Sequence, residues 1–66
     1  MANITITDYY EGLTIQEKKD FRLKVCEVCD IEYFGLLRRL RKRSFSKLEV
    51  EAIRRIVNDN RYEITN

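Results

Sequence analysis

Two capping boxes constrain the fold of this chain most strongly, because each one determines the residue at which a helix begins. In each box a hydroxyl residue stands three positions before a glutamate: Thr14 with Glu17, and Ser46 with Glu49. The hydroxyl and the carboxylate each satisfy a backbone amide that the first helical turn leaves unpaired. We therefore predict a helix that begins directly after Thr14 and another that begins directly after Ser46.

The spacing of the apolar residues predicts where these helices end and adds a helix between them. Apolar side chains recur every three or four positions, which is the period of a helix with one buried face. The first helix is predicted to end near Cys29, with Asp30 in the turn, and the second to run from Glu32 to about Arg43. The third ends at residues 58–60, Asn-Asp-Asn, which tolerate a left-handed cap.

The apolar stripes of these helices predict the hydrophobic core. Phe45 joins it, because Phe45 and Val50 occupy the two positions of a hydrophobic staple around the second capping box. The other predicted core residues are Phe21, Val25, Val28, Cys29, Ile31, Leu36, Leu40, Leu48, Ala52, Ile53, Ile56 and Val57.

The two ends of the chain carry a different pattern. Residues 3–10 and residues 61–65 alternate between apolar and polar types and are rich in β-branched side chains, which is typical of strands. The ends can pair as a two-stranded ribbon against the helices, and a short helical turn over residues 5–11 is the alternative. The predicted fold class is mainly α: a three-helix, helix-turn-helix domain, to which the termini can add a short two-stranded β-pair.

Length and composition limit the chain to one domain and exclude several classes of protein. We predict a single domain over residues 1–66, with its core in 14–57 and terminal extensions over 1–13 and 58–66. No apolar run exceeds two residues, so no membrane span is expected, and residues 1–5 have no secretory pattern. We therefore predict a cytoplasmic protein.

The absence of histidine weighs against catalysis and metal binding. Histidine is the commonest general base and the commonest metal ligand in proteins. The only cysteines, Cys26 and Cys29, form a Cys-x-x-Cys pair that cannot complete a four-ligand zinc site alone, so we interpret them as small buried residues. We predict that the protein is not an enzyme and uses no metal, cofactor or small-molecule substrate.

Positive charge is concentrated in one part of the chain. Residues 38–55 have eight basic and two acidic side chains, a net charge of +6, although the whole chain carries only +2. Five of the six residues from 38 to 43 are cationic. Such a cluster favours a polyanionic partner. The alternative is a solvated helix end whose cations interact with the helix dipole.

The predicted helix, turn and helix around Asp30 form a unit that can place its second helix in a DNA major groove. The stretch from Cys29 to Leu40, followed by Phe45-Ser46-Lys47-Leu48-Glu49, resembles the phage Cro and repressor class of helix-turn-helix proteins. The resemblance covers roughly residues 14–57. It implies a DNA-binding transcriptional regulator of phage or mobile-element type that reads the major groove with the helix over residues 32–43.

This interpretation assigns two sets of contacts to double-stranded DNA, to which the protein binds as a homodimer on two half-sites. The residues that face the bases are Glu32, Tyr33, Phe34, Arg38 and Arg41. The residues that bind phosphates are Arg39, Lys42, Arg43 and Lys47.

A second hypothesis uses the aromatic residues of the same helix. Aromatic side chains flanked by arginine are typical of the residues that dominate protein–protein binding. In a small phage-type adaptor or inhibitor, Tyr33, Phe34 and Leu37 would contact a protein partner. Steep dependence of binding on salt distinguishes DNA binding from this alternative.

Overall fold

The structure is a computed structural model that describes residues 2–57 and 62–65, and it is mainly helical in that part of the chain. Its elements, in chain order, are β1 (Ala2–Thr5), α1 (Ile6–Glu11), α2 (Ile15–Cys29), α3 (Tyr33–Lys42), α4 (Lys47–Val57) and β2 (Tyr62–Thr65). The mainly α prediction is confirmed. The three predicted helices correspond to α2, α3 and α4, and α1 is a fourth.

The first capping box forms as the sequence predicts. The Thr14 hydroxyl accepts a hydrogen bond from the Glu17 amide at 3.2 Å, and the Glu17 carboxylate accepts one from the Thr14 amide at 3.0 Å. These bonds favour the ionised carboxylate and lower the pKa of Glu17. At its other end α2 stops at Asp30, whose backbone is left-handed (φ 53°, ψ 49°) and whose amide donates to the Cys26 carbonyl.

The second capping box begins α4. The Ser46 amide donates to the Glu49 carboxylate at 2.9 Å, and the Glu49 amide donates to the Ser46 hydroxyl at 3.2 Å. Phe45 and Val50, the predicted staple, are both buried, with 3% and 8% of their surface exposed. The predicted end of this helix at residues 58–60 lies outside the described residues.

The N-terminal segment contains both a strand and a short helix, the two alternatives that its sequence pattern left open. Residues 2–5 form β1, which pairs in parallel with β2 in a register that sets Ile4 beside Ile64. The chain then turns directly into α1, where the Thr5 hydroxyl accepts from the Asp8 amide at 3.1 Å. The Thr7 hydroxyl is buried and donates to the Leu40 carbonyl, which joins α1 to the end of α3.

The core draws on every helix and on β2. Its most buried large side chains are Ile6, Val25, Leu36 and Ile53, each with at most 1% of its surface exposed. The remaining core residues are Tyr10, Phe21, Leu40, Phe45, Val50 and Ile64. Of the predicted core, five residues are only partly buried: Cys29, Ile31, Ala52, Ile56 and Val57.

The prediction of burial is wrong for two residues, Leu48 and Val28. Leu48 is 78% exposed, because it lies about 140° around α4 from the fully buried Ile53. Val28 is 48% exposed although it lies only about 20° around α2 from the buried Phe21, so the cover over Phe21 does not extend two turns further along the helix. A stripe of apolar residues in sequence is therefore wider and longer than the face that the other elements cover. Within the described residues, the longest helix is α2 with 15 residues, and none could cross a membrane.

Candidate nucleic-acid interface

The turn between α2 and α3 sets the position of α3. It consists of residues 30–32, with the left-handed backbone of Asp30 providing the change of direction. Glu32 is the N-cap of α3, and its side chain makes no capping hydrogen bond. Below the turn, Val25 of α2 and Leu36 of α3 are both completely buried, so the two helices are held together through the core.

The two sides of α3 differ sharply in chemistry. Leu36 and Leu40 point into the core, with 0% and 5% of their surface exposed. On the opposite side, Phe34, Arg38 and Arg41 lie within about 60° of one another around the helix axis, and all three are exposed. We call these three residues the outer face of α3.

The five predicted base-reading residues are all exposed on one short stretch of chain. Three of them form the outer face, Glu32 lies at the start of the helix, and Tyr33 is half-exposed beside Phe34. Arg38 and Arg41 have no hydrogen bond or ion pair with any described residue. Their guanidinium groups are therefore available to an external anion or hydrogen-bond acceptor.

The predicted phosphate-binding residues fall into three different situations. Lys42 and Lys47 are exposed and have no ion pair among residues 2–57 and 62–65. Arg43 lies 3.2 Å from the Asp8 carboxylate, and because both side chains are more than half exposed, this pair is weak. Arg39 alone has a partly buried partner, Glu49 of α4.

Arg39 connects α3 to the start of α4. Its Nε lies 3.1 Å from one carboxylate oxygen of Glu49 and donates to the other at 3.2 Å, while Nη1 donates to the Gly35 carbonyl at 3.0 Å. The same carboxylate caps the Ser46 amide. A Cβ at position 35 would lie 3.1 Å from Nη1 of Arg39, so a larger residue there would require the guanidinium group to shift. Arg39 thus fixes the position of α3 against α4.

A chain of contacts that sequence reasoning did not find joins the core to the outer face of α3. Tyr10, which is 7% exposed, has its hydroxyl 2.6 Å from Nη1 of Arg22, a hydrogen bond that raises the pKa of the arginine. The Arg22 guanidinium lies over the Tyr33 ring at 5.6 Å. Tyr33 in turn meets Phe34 edge to face, with 5.5 Å between the ring centres. We call these four residues the aromatic relay.

The two cysteines lie on the last turns of α2 and are not joined by a disulfide. Burial raises the pKa of the Cys29 thiol and so favours its protonated form. No group of three potential metal ligands comes together within the described ranges.

Comparison of the chain with protein-family models, with curated proteins and with solved structures finds no match. The resemblance to the Cro and repressor class therefore stays a prediction from the sequence.

Proposed function

We propose that the protein binds double-stranded DNA with α3 in the major groove and regulates transcription, as phage and mobile-element regulators do. The observation that carries the proposal is the outer face of α3. Arg38 and Arg41 are exposed, pair with no residue among 2–57 and 62–65, and lie on one side of a helix whose opposite side is anchored in the core. Arginine side chains in this arrangement can donate two hydrogen bonds to a guanine edge.

The phosphate contacts come from the cations around the outer face. Lys42, Arg43 and Lys47 are exposed near the end of α3 and the start of α4, where a helix inserted in the groove meets the backbone of the DNA. Arg39 is left out of this set because Glu49 already pairs with it. Its role in the proposal is to position α3.

The size of the molecule suits a pair of copies on adjacent half-sites. Its dimensions are 31 × 26 × 20 Å, and successive turns of the major groove on one side of a duplex are about 34 Å apart. Two copies can therefore lie side by side on successive turns without overlap. Each copy would add only a few phosphate contacts, so binding as a homodimer supplies the affinity that a single domain lacks.

The test is an anisotropy titration of a labelled duplex of about two helical turns over a range of salt concentrations. Three phosphate contacts per copy predict that log K falls with log salt with a slope of about −3 per copy. No binding to any duplex at about 50 mM salt would contradict the proposal.

A small protein-interaction adaptor or inhibitor is a second candidate function. It is favoured by a groove of about 330 Å³ whose lining is mostly apolar and lies beside the exposed aromatic pair of α3. The residues that line the groove are Lys19, Arg22, Leu23, Cys26 and Tyr33. Binding of a protein through this groove would change little between about 50 and 200 mM salt, in contrast to DNA binding.

A further inference from the structure

We infer that Phe34 is a specificity-determining residue, which contacts the 5-methyl group of a thymine while Arg38 reads a guanine one or two base steps away. This inference rests on the proposed function, and it names the chemistry of the DNA sequence that the protein prefers.

The first observation is that Phe34 is held in place although it is exposed. The ring is 72% exposed, yet the aromatic relay connects it through Tyr33 and Arg22 to the buried Tyr10. Ordering an exposed side chain costs conformational entropy. In this chain the edge-to-face contact with Tyr33 offsets that entropy cost. The ring is therefore already oriented when a ligand arrives.

The second observation is the charge around the ring. Arg38 lies about 40° and Arg41 about 20° from Phe34 around the helix axis, so the apolar ring is set among cations. Arginine beside an aromatic ring occurs at protein–protein interfaces as well, but lysine is depleted there, whereas protein–DNA interfaces are strongly positive. The exposed cations that follow at the end of α3 and the start of α4, Lys42, Arg43 and Lys47, therefore favour DNA over a protein partner.

In the major groove the thymine methyl is the apolar feature that the bases present, and Phe is one of the side chains that contact it. Phe34 and Arg38 are separated by about 6 Å along α3, which is nearly two base steps of about 3.4 Å each. The preferred site should thus contain a thymine and a guanine within two steps of each other.

The experiment begins with selection of tight-binding duplexes from a random pool by the wild-type protein. Each thymine of the selected duplex is then replaced by deoxyuridine, which removes only the methyl group, and each guanine by 7-deazaguanine, which removes the N7 acceptor. The dissociation constants are measured by anisotropy. Circular dichroism confirms that each protein variant is folded.

For the wild-type protein, deoxyuridine at one thymine should weaken binding about fourfold, the effect of one buried methyl group. Phe34→Ala should bind the thymine and deoxyuridine duplexes equally. Arg38→Ala should keep the response to the methyl group and lose the response to 7-deazaguanine at the neighbouring guanine. Leu48→Ala is the matched control, since it removes an exposed apolar side chain from α4 and should keep both responses.

Two results would overturn the inference and leave the proposed function standing. One is salt-dependent binding of a selected duplex in which no thymine methyl matters. The other is a methyl effect that persists unchanged in Phe34→Ala. If the wild-type protein selects no duplex at all, the proposed function fails together with the inference.

Discussion

Helices α3 and α4 have ten and eleven residues, but they use their polar side chains in opposite ways. In α4 the first turn is closed by a full capping box, and Arg54 donates from Nε to the Ile64 carbonyl of β2 at 2.8 Å. In α3 the N-cap Glu32 makes no capping bond, and the two arginines of the outer face have no partner among the described residues. The capping box and Arg54 stabilise the fold in α4, whereas Arg38 and Arg41 remain available for binding in α3.

Basic residues that are adjacent in the sequence have different roles once the chain is folded. Arg38 and Arg39 are neighbours in the chain, and the sequence predicts a DNA contact for each, Arg38 with a base and Arg39 with a phosphate. The helix turns about 100° between them, which leaves Arg38 exposed and directs Arg39 to Glu49. One arginine is therefore available to a ligand, while the other is part of the junction between two helices.

The largest expected effect is on the inner sides of both helices, where α3 and α4 should behave alike. Leu40→Ala and Ile53→Ala each remove a buried side chain and should lower the free energy of unfolding by about 2–5 kcal/mol. The control is Leu48→Ala, which should change it by less than about 0.5 kcal/mol because Leu48 is exposed. Urea denaturation followed by circular dichroism measures all three, and a large loss in Leu48→Ala would contradict the fold.

The second prediction separates the outer face of α3 from the rest of the basic surface. Reversal of both charges, in Arg38→Glu with Arg41→Glu, should weaken DNA binding about 100-fold or more, because two base contacts are lost. Reversal at two exposed cations elsewhere, in Lys24→Glu with Arg55→Glu, changes the net charge equally and should cost much less. Anisotropy at about 150 mM salt provides the measurement, and equal losses in the two variants would show that only overall charge matters.

The third prediction concerns the junction between the two helices. A double-mutant cycle over Arg39→Ala and Glu49→Ala should give an interaction energy of about 0.5–1 kcal/mol, since the pair is only partly buried. Glu49→Ala should destabilise the protein more than Glu17→Ala, which removes a capping box without an arginine partner. Arg39→Ala should leave the salt slope of DNA binding unchanged. A slope that becomes less steep by about one unit would instead make Arg39 a phosphate contact.

The smallest expected effect is a pH dependence from the capping box of α2. The pKa of Glu17 is lowered in the folded protein, so its contribution to stability is fully present above the ordinary carboxyl pKa of 4.5. That contribution is lost as the pH falls through the lowered pKa of the folded state. Thermal unfolding between about pH 6 and pH 2 should show this loss in the wild-type protein, and the loss should be smaller in Glu17→Gln, whose amide cannot titrate. Identical pH profiles for the wild-type protein and Glu17→Gln would contradict this prediction.

Local interactions explain why both ends of α2 could be predicted from the sequence. Its start depends on Thr14 and Glu17, three positions apart, and its end on Asp30, which is able to adopt a left-handed backbone. The bounds of α3 and the start of α4 agree with the predicted bounds to within one residue for the same reason. The shared exposed side of Arg38 and Arg41 also follows from helical periodicity.

Other features required contacts between distant parts of the chain. Helix α1 has only six residues, too few to be stable alone, and it forms where Ile6 is buried and the Thr7 hydroxyl bonds to the Leu40 carbonyl. The parallel pairing of β1 with β2 joins the two ends of the chain, and a pattern of alternating residues does not specify the direction of its partner. The sequence left a strand and a short helical turn as alternatives at this end of the chain, and only contacts between distant residues determine that both form and that the strands run parallel.

What the sequence by itself determined is therefore the set of features governed by neighbours within one helical turn: the two helix starts at capping boxes, the turn near Asp30 and the two sides of α3. What only the tertiary structure decided is the use of particular side chains, such as the burial of Ile64, the exposure of Leu48, the Arg39–Glu49 pair and the link from Tyr10 to Arg22. The physical reason is the distance along the chain over which each kind of interaction acts. Hydrogen bonds at a helix cap join residues three apart, whereas burial and ion pairing depend on which surfaces meet when the whole chain packs.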